Sequence, residues 1–429
     1  MTPPMHAKIS FGPLVLTAIA GFTVPALAAA PQRYDHGNPT VPEQLMLELV
    51  NRTRANPAAE AARFGITLNE GLFPGTIATT AKPPLAFHPK LILAARNHSQ
   101  WMLTSNIFDH TGVNNSTPAD RMRDAGYVFT GSFSSGENIS WGGTSGTVEP
   151  ISMTLARHES LFRSPTHRTN ICGENFKELG LGILLGTFQG FNALMVTQNF
   201  ANSDAHPDPW LLGVVFKDAN DNGIYDADEG LRGVTVTPEG GTWDAVTSES
   251  GGYALPHTGA GPLNVTFSGG GLFVPFTRSV QRTGSNVKLD LVLPFSTRLD
   301  PASVPPPIEQ KPEITVQHPA GSDMLTGVGG RKFGTIVKGR KSPTKTFLIS
   351  NTGTTTLTLS GISRVGKNPR DFIVTAPQTT SLAPGATTTI RVTFKPTAKG
   401  NRRAVIRIQS DDADEPTFTI GVSGVGKLK

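Results

Sequence analysis

Three short polar clusters interrupt an otherwise apolar stretch between Phe108 and Phe200. They read Phe108-Asp109-His110, then Gly136-Glu137-Asn138-Ile139-Ser140, then Ser164-Pro165-Thr166-His167-Arg168-Thr169-Asn170-Ile171. Since two histidines and a carboxylate lie in separate clusters, only folding can bring them together. Neutral imidazole and carboxylate are usual ligands of a divalent metal, and three protein ligands leave positions open for water or substrate. The pattern therefore predicts a shared site of His110, Glu137 and His167, with a zinc-like ion held by the two histidines as one hypothesis.

A second interpretation of these residues is that they form a hydrogen-bonded polar group that only braces the loops. The clusters resemble those of the bacterial branch of the CAP superfamily, also called the SCP family, which typically reads Phe-x-His, Gly-Glu-Asn and Ser-Pro-Gly-His-Arg-x-Asn. The family includes cysteine-rich secretory proteins, insect antigen five and plant pathogenesis-related proteins. The resemblance covers roughly residues 41–202 and implies an αβα sandwich, with the domain placed at residues 38–202.

One acidic position of the eukaryotic relatives is absent here. The family's His-Glu-Glu-His set would place a second acid near Ser164, which is not acidic. Glu159 is a possible fourth member by helical phase, because Ile151, Leu155, Glu159 and Phe162 share one predicted helix face. A buried lone carboxylate is costly, so we expect a partner for Glu159, with His110 or His167 as candidates.

Capping residues and prolines predict the helices of this region. Thr40 and Glu43 form a capping-box pattern before a helix that Asn56-Pro57 ends. Further helical pieces are predicted to Phe64, after Pro89, from Thr117 to Gly126, and from Pro150 to Arg163, followed by a hairpin of Leu179–Leu185 and Asn192–Phe200. His98 lies on the apolar stripe of the second long helix, and we expect a hydrogen-bonded core histidine there.

The length and the cysteine count constrain how this chain is stabilised. A chain of 429 residues predicts several domains. Cys172 is the only cysteine, so an intramolecular disulfide framework is excluded, and a small buried hydrophobe is the expected role.

Residues 1–30 are predicted to be a secretory signal. Lys8 precedes a mostly apolar run, and Ala26-Leu27-Ala28 fits a small-x-small cleavage site. No later segment is apolar enough for a membrane span, so we expect a secreted, extracellular or cell-surface protein without a transmembrane segment after signal removal.

A twelve-residue segment after Trp210 has the pattern of a calcium loop. Oxygen-bearing side chains or a backbone carbonyl fall at the ligand positions, and a glycine lies at the sixth position. The expected ligands are Asp218, Asn220, Asn222, Ile224 through its carbonyl, Asp226 and Glu229. The flanks read as strands, and Gly233-Val-Thr-Val with Ser250-Gly-Gly-Tyr253-Ala-Leu resembles SdrD B-like and carboxypeptidase-regulatory-like sandwiches. The domain is placed at residues 209–295, with structural Ca²⁺, against the alternative of a plain Asx-rich turn.

A Pro-rich linker, residues 296–312, precedes a third predicted domain at residues 313–427. Phe347-Leu-Ile-Ser-Asn-Thr-Gly, Ser381-Leu-Ala-Pro-Gly and Val392-Thr-Phe-Lys-Pro resemble choice-of-anchor D and Hydin-like domains, which implies an immunoglobulin-type sandwich. From Ala302 onward there are 18 Lys and Arg against 8 Asp and Glu, a net charge of +10. This domain could contact an anionic envelope polymer, although a merely solvated basic face is the plainer interpretation, and no motif supports nucleic-acid binding.

Together these patterns predict a multidomain chain, an α/β CAP fold followed by two all-β sandwich domains. The first functional hypothesis is a secreted protein that binds a lipid, wall fragment or peptide in a His/Glu-lined groove, with the β-domains for spacing or adhesion. The second is a metal-dependent, protease-like hydrolase in which His110 and His167 hold the metal and Glu137 is the general base. The third is an adhesin without chemistry, and whether the chain is an enzyme stays open.

Overall fold

The computed structural model describes residues 30–305, 311–319, 322–327 and 330–428. The predicted signal sequence, up to residue 29, and residues 306–310 of the predicted linker lie outside the described residues. The helices are α1 Val41–Ala55, α2 Pro57–Arg63, α3 Pro89–Ser105, α4 Pro118–Asp124, α5 Pro150–Arg163 and α6 Pro165–Ile171.

Strands occur along the whole described chain, and the second half contains no α-helix among its described residues. They are β1 Gln32–Arg33, β2 Ala86–Phe87, β3 Phe133–Thr144, β4 Glu178–Phe188, β5 Phe191–Ser203, β6 Trp210–Asp218, β7 Val234–Pro238, β8 Trp243–Val246, β9 Gly252–Pro256, β10 Gly261–Gly269, β11 Phe276–Arg282, β12 Val287–Lys288, β13 Leu291–Pro294, β14 Ile314–Gln317, β15 Gly330–Val337, β16 Lys345–Asn351, β17 Leu357–Val365, β18 Phe372–Thr375, β19 Ser381–Leu382, β20 Thr387–Phe394, β21 Gly400–Ser410 and β22 Thr417–Lys427. Short 3₁₀ turns lie at Val113–Asn115, Pro301–Ser303 and Pro369–Asp371.

The N-terminal domain is a four-stranded sheet between two helical layers. The strand order is β2-β4-β5-β3, so β3 is an edge strand. Helices α3 and α4 pack with Ala201 of β5 on one face, while α1, α5 and α6 pack with Leu194, Val196 and Phe200 of the same strand on the other. Neighbouring strand residues point to opposite faces, which gives each layer its own apolar set. The predicted αβα sandwich is confirmed.

Helix α1 begins as its sequence predicts. Thr40 Oγ1 accepts from the Glu43 N–H, and Glu43 Oε2 accepts from the Thr40 N–H at 2.8 Å, which completes the capping box. The Glu43 carboxylate is buried and also receives Arg96 Nε of α3 at 2.9 Å. The Glu43 side chain therefore caps α1 and joins it to the opposite helical layer, and its negative charge balances the positive charge of Arg96.

Two parts of the sheet and its helices differ from the sequence expectation. The Ser- and Gly-rich sequence of residues 131–136 predicts a loop, but Phe133 to Gly136 form the start of β3, where they pair with Asn202 and its neighbours on β5. From the sequence, Pro165 is expected to stop the helix that ends at Arg163. In the structure it begins a further helix, α6, because it occupies the first turn, where its missing N–H costs nothing. Both elements carry residues of the predicted site.

The middle domain contains two facing sheets. One has the order β1-β8-β7-β10-β11, and the other has β6 with β9 on one edge and β12 and β13 on the other. Strand β1 comes from the segment before α1 and pairs in parallel with β8, so the chain enters the middle domain before it forms the N-terminal one.

The third domain is also a two-sheet sandwich. Its sheets have the orders β14-β16-β20-β18 and β15-β22-β21-β17-β19. Phe347, Ile390, Phe394, Ile406 and Ile420 lie in the core between them, each fully buried. The two all-β sandwiches predicted after the α/β domain are thus present.

No helix within the described ranges is both long and apolar enough to cross a membrane.

Candidate functional site

The site is built on the edge strand β3, where successive residues face opposite helical layers. Glu137 lies opposite Asn199 and Asn138 opposite Gln198 in the register of β3 and β5. Because side chains alternate along a strand, Glu137 faces one layer and Asn138 the other. An edge strand has a free side, so groups from both layers can meet around it.

Glu137 is a buried carboxylate with a complete set of partners. Its Oε1 lies 2.9 Å from His110 Nδ1, and its Oε2 accepts from Arg121 Nη2 at 2.6 Å. With the Asn199 amide oriented so that its nitrogen faces the carboxylate, that nitrogen donates to Oε2 at 3.2 Å. The Glu137 side chain is only 1% exposed, so Arg121 supplies the charge that a buried carboxylate requires.

His110 is the exposed member of the site. Its side chain is 49% exposed, and the hydrogen bond to Glu137 raises the pKa of the imidazole above its ordinary value. If Nδ1 donates to the carboxylate, as this pairing favours, Nε2 is left for a ligand. Arg121 Nη1 also donates to the His110 carbonyl at 3.0 Å, so one arginine fixes both residues of the pair.

His167 approaches the site from the other layer, on α6. Its backbone carbonyl accepts from Asn138 Nδ2 at 3.2 Å, and Asn138 Nδ2 also lies 2.9 Å from Gln198 Oε1. Asn170 Nδ2 donates to Asn138 Oδ1 at 2.8 Å. Burial lowers the pKa of His167, and the charge of nearby His110 lowers it further, so the two rings influence one another.

His98 lies behind Glu137 and is the core histidine that the sequence predicts. The ring is fully buried, its Nε2 lies 3.0 Å from the Asp109 carbonyl oxygen, and it stacks on Trp101. Burial lowers the pKa of His98 to about 4, so it is neutral near pH 7.

The prediction that Glu159 is buried is wrong. Glu159 is 42% exposed and pairs with Arg163 at 2.7 Å, one turn along α5. The buried face of α5 instead carries Thr154, His158, Leu161 and Phe162, and His158 Nε2 lies 2.9 Å from Glu60 Oε1 of α2. The helical phase is shifted by one residue from the predicted stripe, so Glu159 contacts neither His110 nor His167 in the described contacts.

The donor set fits a metal only in part. The described groups of three or more His, Cys, Asp or Glu with ligand atoms within 4.8 Å of one another do not include His110, Glu137 or His167. Glu137 is already bound by Arg121, whereas the two imidazoles are the remaining candidate ligands. An ion here would be held by His110 and His167, and Glu137 would orient the His110 ring from behind, as carboxylates do at many metal sites.

Sequence reasoning missed Arg121 and Asn199. Arg121 lies on α4 among charged residues that read as a solvated helix face, and its own side chain is 8% exposed. Asn199 lies in a strand that reads as apolar. Neither position has a local signal, because each is placed by pairing or packing with distant elements.

The predicted calcium loop folds into a tight turn with its oxygen atoms hydrogen-bonded to the backbone. Asp218 Oδ2 accepts from the Gly223 N–H at 2.7 Å, and Glu229 accepts from the Ala219 N–H at 2.8 Å and the Asp226 N–H at 3.0 Å. The amides of Asn220 and Asn222 both lie 2.8 Å from Asp226 Oδ2. Gly223 has φ +70°, the left-handed conformation for which the sixth position requires glycine.

Two family models match separate parts of the chain. The model described as the cysteine-rich secretory protein family, CAP, matches residues 47–200, and the model of the HYDIN/CFA65/VesB-like Ig-like domain matches residues 332–425. No curated protein matches the chain.

Solved structures from several bacteria are similar to parts of it. An extracellular protein containing a SCP domain from Bacillus anthracis str. Ames is 28% identical over 28% of this chain and 34% of that one, with a TM-score of 0.22. The VesB protease of Vibrio cholerae is 18% identical over 22% of this chain and 29% of that one, with a TM-score of 0.20. A protein of unknown function from Porphyromonas gingivalis W83 is 13% identical over 57% of this chain and 79% of that one, with a TM-score of 0.22. The chain thus spans about a third of the length of the first two.

Proposed function

Since residues 47–200 form a CAP domain and residues 332–425 a HYDIN/CFA65/VesB-like Ig-like domain, we propose that this chain is an exported ligand-binding protein whose β-domains space or attach it. The proposal rests mainly on the different exposure of the two hydrogen-bonded residues His110 and Glu137. Glu137 is buried and fully paired, whereas the His110 ring is half exposed. The exposed imidazole is thus held in one orientation, which suits recognition of a ligand.

The surroundings of His110 favour an acidic ligand with an apolar part. Phe108, two residues before His110, is 41% exposed, and its ring lies 6.4 Å from that of Phe188, which also contacts Trp141. Aromatic rings bind apolar chains or sugar faces, and a protonated His110 would bind a carboxylate or phosphate. A lipid, a wall fragment or a peptide with an acidic group would each meet this requirement.

The test is binding by the full chain without its signal segment. Panels of fatty acids and anionic lipid vesicles, soluble peptidoglycan fragments, and acidic peptides would be screened by fluorescence anisotropy or calorimetry. We expect one class to bind and His110→Ala to weaken that binding by about tenfold, since one charge-assisted hydrogen bond contributes about 1.5–3 kcal/mol.

Glu159→Gln is the matched control, because Glu159 is exposed and pairs only with Arg163 in the described contacts. It should leave the affinity unchanged. Equal binding by wild type and His110→Ala, or no binding across all three panels, would contradict the proposal.

A metal-dependent hydrolase is the second candidate, favoured by the imidazole–carboxylate pair that leaves His110 Nε2 open. The structure argues against Glu137 as a free general base, because Arg121 occupies its second oxygen at 2.6 Å. We therefore assign Glu137 a positioning role in this alternative, with His110 and His167 as the residues that would hold zinc. Bound zinc would supply an activated water molecule.

This alternative predicts peptidase or esterase activity that a chelator removes and Zn²⁺ restores. His110→Ala and His167→Ala should abolish both the activity and the zinc uptake at this site. Activity that persists in both variants would remove the hypothesis.

We further propose that the loop from Asp218 to Glu229 binds structural Ca²⁺. Asp218, Glu229 and Asp226 provide carboxylates, and the amide oxygens of Asn220 and Asn222 and the Ile224 carbonyl complete the set. We expect Ca²⁺ to raise the melting temperature, and Glu229→Gln, which removes the carboxylate at the twelfth position, to weaken this response. Glu239→Gln, at an exposed position of the same domain, should keep it. An equal response in wild type and Glu229→Gln would exclude the loop as the site.

The third domain provides a surface for an anionic polymer. Lys367 and Arg403 line one shallow depression on it, and His318 and Lys345 line another. Together with the net charge of +10 from Ala302 onward, Lys345, Lys367 and Arg403 support attachment to acidic envelope polymers. This attachment would weaken as salt concentration rises.

A further inference from the structure

A second group of titratable residues lies where the CAP domain joins the middle domain. One ligand atom each of His88, Glu178 and His206 lies within 4.8 Å of the others. His88 precedes α3, Glu178 begins β4, and His206 lies on the link between β5 and β6. None of the three contacts His110, Glu137 or His167 in the described contacts, so this cluster is separate from the site already described.

Glu178 is a buried carboxylate that forms no salt bridge among the described residues, although the charge of Lys177 acts on it from a distance. Tyr127 OH donates to its Oε2, and the indole Nε1–H of Trp210 donates to Oε1 at 3.2 Å. No Lys or Arg nitrogen of the described chain forms a salt bridge with it, and burial raises the pKa of Glu178 to about 7. Lys177, its neighbour, donates instead to the carbonyls of His206 and Asp208. Buried carboxylates are normally paired with a cation or bound to a metal.

The two histidines are neutral, and one of them has a buried ring nitrogen without a hydrogen-bond partner among the described residues. Burial, then the charges of His206 and Lys90, lower the pKa of His88 to about 3, and burial lowers that of His206 as well. His206 Nε2 is buried and has no hydrogen-bond partner among the described residues. Neutral imidazole is the form that binds transition metals.

We propose that His88, Glu178 and His206 bind a divalent transition metal, with Zn²⁺ as the best match to two imidazoles and one carboxylate. Three protein ligands leave a fourth position for water. Tyr127 and Trp210 hold the carboxylate from outside, which is how residues behind metal ligands commonly fix their orientation. The ion would join the start of α3, the start of β4 and the interdomain link, next to Trp210 of the middle domain.

Metal binding requires two local adjustments. His88 Nδ1 now accepts from the Lys90 N–H at 3.2 Å and caps α3, so ligation through Nε2 moves the ring proton to Nδ1 and gives up this cap. The nitrogens of both imidazoles also lie more than 4.0 Å from the Glu178 oxygens, since no salt bridge joins them among the described residues, so both rings must move toward the carboxylate. His206 lies outside the strands on the link, where such a movement disturbs no described strand pairing.

The experiment uses the full untagged chain without its signal segment, in a His110→Ala/His167→Ala background. This background removes both imidazoles of the other proposed zinc site. After treatment with a chelator, Zn²⁺ affinity is measured by competition with a chromogenic chelator, and Co²⁺ is added as a spectroscopic probe. We expect one equivalent of Zn²⁺ and the visible absorption bands of four-coordinate Co²⁺.

His206→Ala should lower the Zn²⁺ affinity at least about 100-fold, because even residues behind the ligands contribute 10–100-fold. His88→Asn should do the same while keeping a good helix cap, which separates loss of a ligand from loss of folding. Tyr127→Phe should lower the affinity about 10-fold or more. His257→Ala, in the middle domain outside the cluster, should keep the wild-type affinity.

Two results would overturn the proposal. One is the absence of Zn²⁺ binding in the His110→Ala/His167→Ala background. The other is an unchanged affinity in a folded His206→Ala or His88→Asn variant, with folding checked by near-ultraviolet circular dichroism.

Discussion

Arg121 is the residue on which the geometry of the CAP site depends. It donates to Glu137 at 2.6 Å and to the carbonyls of His110 and Ser116 at 3.0 and 2.9 Å. Both side chains of the Arg121–Glu137 pair are buried, so removing one partner leaves an uncompensated charge.

Arg121→Ala should therefore reduce the free energy of unfolding by about 3 kcal/mol, measured by urea denaturation. Arg123→Ala, on the same helix but with an exposed side chain, should change it by less than about 0.5 kcal/mol. Equal small losses in both variants would mean that the buried pair does not brace the site.

Glu60 gives the CAP domain a stability that depends on pH. Burial alone would raise its pKa, but hydrogen bonds from His158 and Arg52 and their charges lower it to about 2. A carboxylate whose pKa is lower in the folded than in the unfolded state stabilises the fold fully at pH values above its unfolded-state pKa. For Glu60 this contribution falls as the pH drops from about 4.5 to about 2.

Glu60→Gln should thus cost about 3 kcal/mol at pH 7 and less than half of that at pH 3. The measurement is urea denaturation of wild type and variant at several pH values. Glu159→Gln, at an exposed position, is the control and should change the free energy of unfolding by less than about 0.5 kcal/mol at each pH. A cost for Glu60→Gln that stays constant over this pH range would contradict the assignment.

At the scale of elements, two glycines determine how closely α3 packs on the sheet. A Cβ at Gly180 would lie 2.0 Å from the Leu91 carbonyl carbon, and one at Gly182 would lie 2.3 Å from that of Ala95. The close approach of α3 to β4 lets Ser99 Oγ, one turn after Ala95, donate to the Gly182 carbonyl oxygen at 2.7 Å. Since α3 also carries His98, this close packing places the base of the site.

Gly180→Ala should destabilise the protein by at least about 3 kcal/mol, because the new methyl group meets backbone that cannot rotate away. Gly186→Ala on the same strand is the control. There the Cβ would lie 3.0 Å from a methyl of the Leu103 side chain, which can move. Chemical denaturation of both variants tests this, and comparable losses would show that close backbone approach is not the cause.

At the scale of the whole molecule, the CAP and middle domains share an apolar interface. Leu45 and Leu49 of α1 form one buried cluster with Val214, Phe216 and Tyr225 of the middle domain. Strand β1 adds a second connection, because it lies in the sheet of the middle domain although it precedes α1. Tyr225 belongs to the predicted calcium loop, so this loop supports the interface directly.

We therefore expect the first two domains to unfold together. All four tryptophans, Trp101, Trp141, Trp210 and Trp243, lie in these two domains, so their fluorescence does not report on the third. The wild type should show one fluorescence transition. Leu49→Ala should lower the free energy of unfolding measured from it by about 2–5 kcal/mol, because the substitution opens a cavity at the interface. Leu325→Ala, 70% exposed on the third domain, should leave it unchanged. Two separate fluorescence transitions in the wild type would contradict the shared unfolding.

The sequence predicts those parts of this fold that depend on neighbouring residues. The starts of α1 and α4 follow from Thr40 and Thr117, whose caps use residues three positions away. Glu159 shows where this reasoning fails. Four-residue spacing suggested that it was buried, but the partner that selects the buried face is Glu60, which contacts His158 across 98 positions of sequence. A helix can turn either of two adjacent stripes inward, and only the opposing element decides between them.

The sequence by itself determined the helix caps and the order of the CAP and Ig-like domains, because each rests on local hydrogen bonds or on short motifs. Only the tertiary structure decided that Arg121 occupies one oxygen of Glu137 and that His88, Glu178 and His206 come together at the domain junction. These contacts join side chains from separate helices, strands and loops. Which polar groups meet there depends on how the faces of helices and strands pack, and residue order does not record this.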